Sequence, residues 1–183
     1  MKIAVFGPPG GGKSTLSAAL AQATGAPLVA LDLVQYLPGG GQLSNEAFHA
    51  RHAEIISQPA WVIDGVGTAQ TFPELLRAAD VLVYVQRPML LHYWWVTKRL
   101  IKSPFAKPLG WPERSPILRG TLTSYRYLRL SERFWTPAFK GRLRAWQASG
   151  EKRVFFIRSQ RDAEALLAAV SQGALSSRPA SAR

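Results

Sequence analysis

The sequence predicts an α/β fold built on a five-stranded parallel sheet covered by helices on both faces. Five short apolar runs, Lys2–Phe6, Pro27–Asp32, Trp61–Gly65, Val81–Val85 and Arg153–Ile157, alternate with segments of helical periodicity. The runs are almost continuously apolar, as strands buried on both faces are. The first of them leads straight into a glycine-rich turn and then a helix.

Each element has a local reason. Lys2–Phe6 ends at Gly7, and Ser14–Thr24 carries Leu16, Ala19, Leu20 and Ala23 on one helical face before Gly25 and Pro27 stop it. Pro27–Asp32 reads as a strand with a carboxylate at its C-terminal end. Ser44–Gln58 reads as a helix capped by Ser44, without a full capping box because Ala47 stands three residues on. Its apolar stripe is Phe48, His52, Ile55 and Ile56. Pro73–Ala79 is a short helix, Pro88–Lys102 a longer one, and the prolines between Ser103 and Pro116 call for a loop. Ile117–Leu130 and Glu132–Trp146 read as two helices, the second interrupted near Pro137, and Asp162–Val170 as the last. In a parallel sheet every helical crossover returns the chain, so all strands end on one edge. Asp32, Asp64 and the glycine turn are therefore expected together on the edge where open α/β sheets bind ligands.

The chain has 183 residues and no cysteine, which excludes disulfides, cysteine-based zinc sites and a thiol nucleophile. Glycine arrives too early for a signal-peptide core, and no run of about 18 apolar residues spans a bilayer. A soluble cytoplasmic protein is expected, with one domain over residues 1–172 and a frayed tail over 173–183. The formal charge of +12 is unevenly distributed. Residues 1–86 hold 4 basic and 6 acidic side chains, whereas residues 87–144 hold 13 and 2, together with 10 of the 19 aromatics. That block faces anions.

Gly7-Pro8-Pro9-Gly10-Gly11-Gly12-Lys13-Ser14 fits G-x-x-x-x-G-K-[ST] at every fixed position, between a strand and a helix. Glycines let backbone N–H groups turn inward around phosphates, and the helix N-terminus adds its partial charge. Lys13 is expected to reach the β- and γ-phosphates of ATP or GTP, Ser14 to hold Mg²⁺ and Thr15 to meet the α-phosphate. The plainer reading is a glycine-rich turn before a helix. Asp64 closes a strand as a Mg²⁺-holding carboxylate does, or caps a turn with Gly65. Asp32 is a candidate to orient or deprotonate an acceptor hydroxyl, or a cap. In the basic block, Arg126, Arg129 and Arg133 share one helix face if the helix runs on through Ser131. Arginines closing over a transferring phosphoryl group stabilise its charge, while a solvated face is the alternative for any one of them. His92-Tyr93-Trp94-Trp95 and Phe134-Trp135 can stack bases or form the core of a helical subdomain. His49, His52 and His92 show no metal-ligand spacing and are expected in the core or on the surface.

The phosphate loop and Ile63-Asp64-Gly65 resemble those of adenylate kinases. The chain is more similar still to a bacterial group of adenylate-kinase-related proteins called topology modulation proteins. Leu31-Asp32 before Pro38-Gly39, Trp61-Val62-Ile63-Asp64-Gly65, Ala79-Asp80-Val81, Arg87-Pro88, Lys98-Arg99-Leu100, Pro112-Glu113-Arg114 and Arg153–Ser159 carry the likeness through their order. The resemblance implies a P-loop NTPase three-layer sandwich of the nucleoside-kinase kind, with residues about 88–146 forming a basic helical lid. It implies that Arg99 contacts phosphate and that Arg158 to Gln160 lie near the adenine pocket. The expected activity is γ-phosphoryl transfer from ATP with Mg²⁺ to a small-molecule acceptor, a nucleotide, nucleoside or hydroxylated metabolite, through Lys13, Asp32, Asp64 and Arg99. The alternative is a nucleic-acid-associated P-loop ATPase whose basic, aromatic block grips a phosphate backbone.

Overall fold

A computed structural model describes residues 1–35, 41–102 and 117–175 of the chain. The strands are β1 (Lys2–Phe6), β2 (Leu28–Ala30), β3 (Trp61–Asp64), β4 (Val81–Val85) and β5 (Arg153–Ile157). They form one sheet in the order β2-β3-β1-β4-β5, and every pairing is parallel. The helices are α1 (Lys13–Thr24), α2 (Leu31–Gln35), α3 (Asn45–Ser57), α4 (Thr71–Ala78), α5 (Met89–Lys102), α6 (Ile117–Phe134), α7 (Pro137–Ser149) and α8 (Gln160–Ser171).

Alternation along the strands divides the core between two faces. Ala4, Phe6, Ile63, Leu82 and Tyr84 point one way and pack against α3, α4 and α7. Ile3, Val5, Val62, Val81 and Val83 point the other way, against α1 and α8. The first face is aromatic. Trp135, at the corner between α6 and α7, lies with its ring centroid 5.9 Å from that of Phe6, 5.3 Å from Tyr84 and 5.6 Å from Phe139. This anchors the basic helices to the centre of the sheet, and of the two readings of Phe134-Trp135 it gives Trp135 the core one. Phe134 stays 47% exposed.

Several boundaries differ from the sequence expectation. The run Pro27–Asp32 is a strand only over Leu28–Ala30; at Leu31, which is fully buried, the chain turns into α2 and places Asp32 in that helix's first turn. A carboxylate suits the positive end of a helix. The short helix expected at Pro73 starts at Thr71, because Thr68 and Thr71 cap each other: each hydroxyl accepts the other residue's backbone N–H, at 3.0 and 3.2 Å. α6 runs through Ser131 to Phe134 and the break falls at Thr136, which caps α7 by accepting Phe139 N–H, with Pro137 at the first helical position where its missing N–H costs nothing. α8 starts two residues earlier than expected, since Ser159 and Asp162 form a capping box. The Ser44 cap on α3 stands as expected, accepting from Ala47 N–H at 3.1 Å.

Pro38-Gly39, the loop over 103–116 with Lys107 and Arg114, and the last residues of the tail lie outside the described residues. Within the tail, Leu175 packs on the α8 side of the core and its carbonyl accepts a hydrogen bond from Arg153 Nη1 at 2.6 Å. No helix among the described residues is long and apolar enough to cross a membrane.

Candidate functional site

The loop between β1 and α1 is shaped by glycines that nothing larger can replace. Gly7, Gly10 and Gly12 have φ of +142°, +76° and +82°, a region L-residues avoid. A Cβ on Gly7 would stand 2.2 Å from the Val85 carbonyl oxygen, and one on Gly10 2.7 Å from the His92 carbonyl oxygen. A Cβ on Gly11 would meet the His92 ring at 2.8 Å. The loop is thus pressed against the end of β4 and one face of α5. Gly12 sits at the N-cap of α1, and Lys13 reaches back so that its Nζ donates to the Pro8 carbonyl at 2.9 Å. Ser14 and Thr15 follow in the first turn, where helix N–H groups lack intrahelical partners.

Asp64 lies beside this loop. Its register partner on β1 is Val5, and the next residue, Gly65, donates its N–H to the Val5 carbonyl at 3.0 Å. The side chain is 8% exposed, and its buried Oδ1 accepts no hydrogen bond. A buried carboxylate oxygen without a donor is costly unless a cation or water completes it. Among the described residues no three His, Asp or Glu side chains converge as a metal-binding group. Mg²⁺ is commonly held by one or two protein carboxylates, with phosphates and waters supplying the rest. The orphaned Asp64 oxygen and the glycine cradle therefore fit a magnesium nucleotide.

Asp32 stands two residues beyond Ala30, whose register partner is Asp64, and is exposed at the start of α2. It shares the C-terminal edge with Asp64 and the loop, on the β2–β3 side. Arg158 is on the opposite side, past β5. Its guanidinium lies 5.7 Å from the Phe156 ring centroid and that of Arg144 5.9 Å from the same ring. A cleft of about 450 Å³ opens there between α7 and α8, lined by Gln147, Phe156, Arg158 and Asp162. Asp162 accepts N–H bonds from Arg158 and Ser159, both at 2.8 Å, and the Arg158 bond leads in holding its carboxyl below the usual carboxylate range. Arg99 is on α5, and its side chain, like those of Lys102 and Arg119, lies outside the described residues. Arg126, Arg129 and Arg133 are all exposed on α6.

One residue that the sequence assigned to core or surface belongs to the site. His92 is fully buried against the loop: Nδ1 lies 2.8 Å from the Pro9 carbonyl oxygen, and the Arg87 backbone N–H donates to Nε2 at 3.3 Å. A backbone N–H can only donate, so Nε2 carries no proton and Nδ1–H donates to Pro9. Burial pushes the imidazole pKa below its ordinary value, and the Lys13 and Arg87 cations push the same way. Trp95, one turn on, lies 3.1 Å from where a Gly12 Cβ would be. The spacing of His92, Trp95 and Val96 on one side of α5 is the only sign in the sequence, and it does not say what that face touches. Behind α5, Tyr93 stacks on Tyr125 at 6.0 Å between centroids and Thr97 hydrogen-bonds the Tyr125 hydroxyl, joining α5 to α6.

A family model described as isopentenyl transferase matches residues 1–85 of this chain. No curated protein shows a significant match. Among solved structures, the chain is similar to shikimate kinase from Acinetobacter baumannii in complex with shikimate, with a TM-score of 0.55 and 21% identity over 96% of this chain and 93% of that one. It is also similar to a proposed kinase from Chloroflexus aurantiacus, with a TM-score of 0.52 and 17% identity over 93% of this chain and 96% of that one. The chain has the α/β fold of these P-loop kinases.

A second buried imidazole shares the electrostatics of His92. His52 is fully buried on α3 with neither ring nitrogen hydrogen-bonded, and its Nδ1 is 3.7 Å from Glu74 Oε2. Burial lowers its pKa against the opposing pull of Glu74. Both rings are neutral in the fold, so on acidification the unfolded chain takes up these protons first. Stability should be complete above the ordinary histidine value of 6.5 and fall as the pH drops below it. Urea midpoints measured from pH 7.5 down to 5 should decrease; a constant or rising midpoint would contradict this account of the two rings.

Proposed function

We propose that this chain is an ATP-dependent phosphotransferase whose acceptor is a small molecule. The observation that carries the proposal is the buried, unpartnered Asp64 oxygen beside a loop whose Gly7, Gly10 and Gly11 leave no room for a Cβ. The inward N–H groups of Gly10 to Ser14 and the N-terminus of α1 hold the polyphosphate, Pro8 and Pro9 having no N–H to offer. Lys13 exchanges its contact with the Pro8 carbonyl for the β- and γ-phosphate oxygens, which as anions are the stronger partners for an ammonium. Ser14 and Asp64 hold Mg²⁺, which when bound neutralises charge on the transferring group. Thr15 meets the α-phosphate. Arg158, beside Phe156, faces the base, and within the lid expected over residues 88–146 the part between the anchors at Val96 and Trp135 brings Arg99 to the phosphates.

The acceptor enters from the β2–β3 side, where Asp32 accepts the proton of its hydroxyl as that oxygen attacks the γ-phosphorus. Electrons move from the attacking oxygen to phosphorus, and the bond to the β–γ bridging oxygen breaks with ADP as the leaving group. Resemblance to adenylate-kinase-related proteins and the likeness in fold to a shikimate kinase both favour a hydroxyl- or phosphate-bearing metabolite.

The isopentenyl transferase model covers the phosphate loop, Asp32 and Asp64 and stops at Val85, where β4 ends. It supports the phosphate-handling half and leaves the transferred group open. The nucleic-acid reading loses part of its stacking surface, since His92 and Trp95 lie against the phosphate loop and Trp135 in the aromatic core. It keeps Trp94, Tyr127 and Phe134, which are exposed.

Lys13→Ala should abolish Mg-ATP binding in calorimetry, and an unchanged affinity would overturn the proposal. Nucleotides, nucleosides and hydroxylated metabolites should then be screened for stimulated ADP release, with a prenyl diphosphate as the competing donor. With the acceptor so found, Asp32→Asn should keep ATP affinity and lose most of the stimulated release. Full transfer by Asp32→Asn would remove Asp32 from the chemistry.

A further inference from the structure

Arg87 differs from the other arginines of the basic block in being held at the sheet. It stands two residues after Val85, the residue at the end of β4 whose carbonyl and side chain lie 2.2 and 3.0 Å from where Cβ atoms on Gly7 and Gly11 would stand. Its backbone N–H is engaged by His92, which in turn donates to Pro9 of the loop. Its guanidinium carbon is 6.0 Å from the centroid of Trp95, the ring that approaches Gly12. The chain beneath Arg87 and the ring beside it are therefore both positioned by contacts to the phosphate loop.

The charge itself is unbalanced. Among the described residues no carboxylate pairs with Arg87, and its buried Nε has no hydrogen-bond partner. A guanidinium donor held out of water and left unpaired costs more than a neutral one, and arginine is retained in such places when an anion completes it. Lys13 and Arg87 both act electrostatically on the His92 ring, so both charges lie within reach of it. A second cation brought to the glycine cradle beside Lys13 adds positive potential where phosphates sit.

We propose that Arg87 is a phosphate-binding residue of the donor nucleotide, a second cation beside Lys13 that is in place before any lid movement. Its ligand is the polyphosphate of a nucleoside triphosphate, contacted through the planar fork of the guanidinium, whose edge the Trp95 ring helps to orient. The inference rests on the reading of the loop as a nucleotide site and adds a residue to it. It also divides the work among the basic side chains: Arg87 is fixed by β4 and the loop, whereas Arg126, Arg129 and Arg133 are exposed on α6.

The test is calorimetric titration of wild type, Arg87→Ala and Arg87→Lys with Mg-ATP, inorganic triphosphate and adenosine, with thermal melting to compare the folds. Arg87→Ala should weaken Mg-ATP and triphosphate about ten- to a hundredfold and leave adenosine unchanged. Arg87→Lys should fall between, keeping charge and losing the fork. Equal Mg-ATP affinity in wild type and Arg87→Ala would overturn the inference alone. An equal loss for adenosine and triphosphate would assign Arg87 to packing and also overturn it. Failure of the wild type to bind Mg-ATP would instead overturn the nucleotide reading and this inference with it.

Discussion

The arrangement depends on one steric condition, the absence of side chains at Gly7, Gly10 and Gly11. It allows the end of β4 and the face of α5 to approach the loop main chain more closely than any Cβ would permit. From that contact come the burial of His92, its bond to Pro9, the hold on the Arg87 main chain and the position of Trp95 beside Gly12. The loop is consequently a rigid part of the sheet edge rather than a free turn. Preorganisation of this kind is what a phosphate site needs, since donors already in place lose little entropy on binding.

The charge distribution has a structural counterpart. The portion that builds β1 to β4 and their helices is close to neutral, and the excess charge enters with α5, α6 and α7. Those helices are tied down at two points, by His92, Trp95 and Val96 against the loop and by Trp135 in the aromatic core. Between the two anchors they carry exposed Arg126, Arg129 and Arg133. The excess charge is thereby carried by helices fixed to the loop at one point and to the core of the sheet at another.

Much of this was legible in the sequence because the signals were local. Continuous apolar runs gave the strands, Ser44 its cap, and the spacing of Gly7 to Ser14 the loop. The misses were tertiary. Pro27–Asp32 reads as strand throughout, but only its first residues find a partner in β3, and burial of Leu31 turns the rest into α2. The interruption near Pro137 is legible in the sequence and stands, whereas the run of α6 on to Phe134 goes with the docking of Trp135 in the core, which local propensity does not show. His92 is buried, as one of its two expected places allows, but its contact with the loop is not legible because its partners, the Pro9 carbonyl and the Arg87 N–H, are backbone groups that no motif records.

The central claim is that Asp64 and the glycine loop form a magnesium nucleotide site, and the most direct measurement is ATP titration with and without Mg²⁺ in wild type and Asp64→Asn. Asparagine keeps the shape and removes the charge. The account predicts that Mg²⁺ tightens ATP binding in the wild type and that Asp64→Asn loses this gain while still binding metal-free ATP. An undiminished Mg²⁺ effect in Asp64→Asn would contradict it.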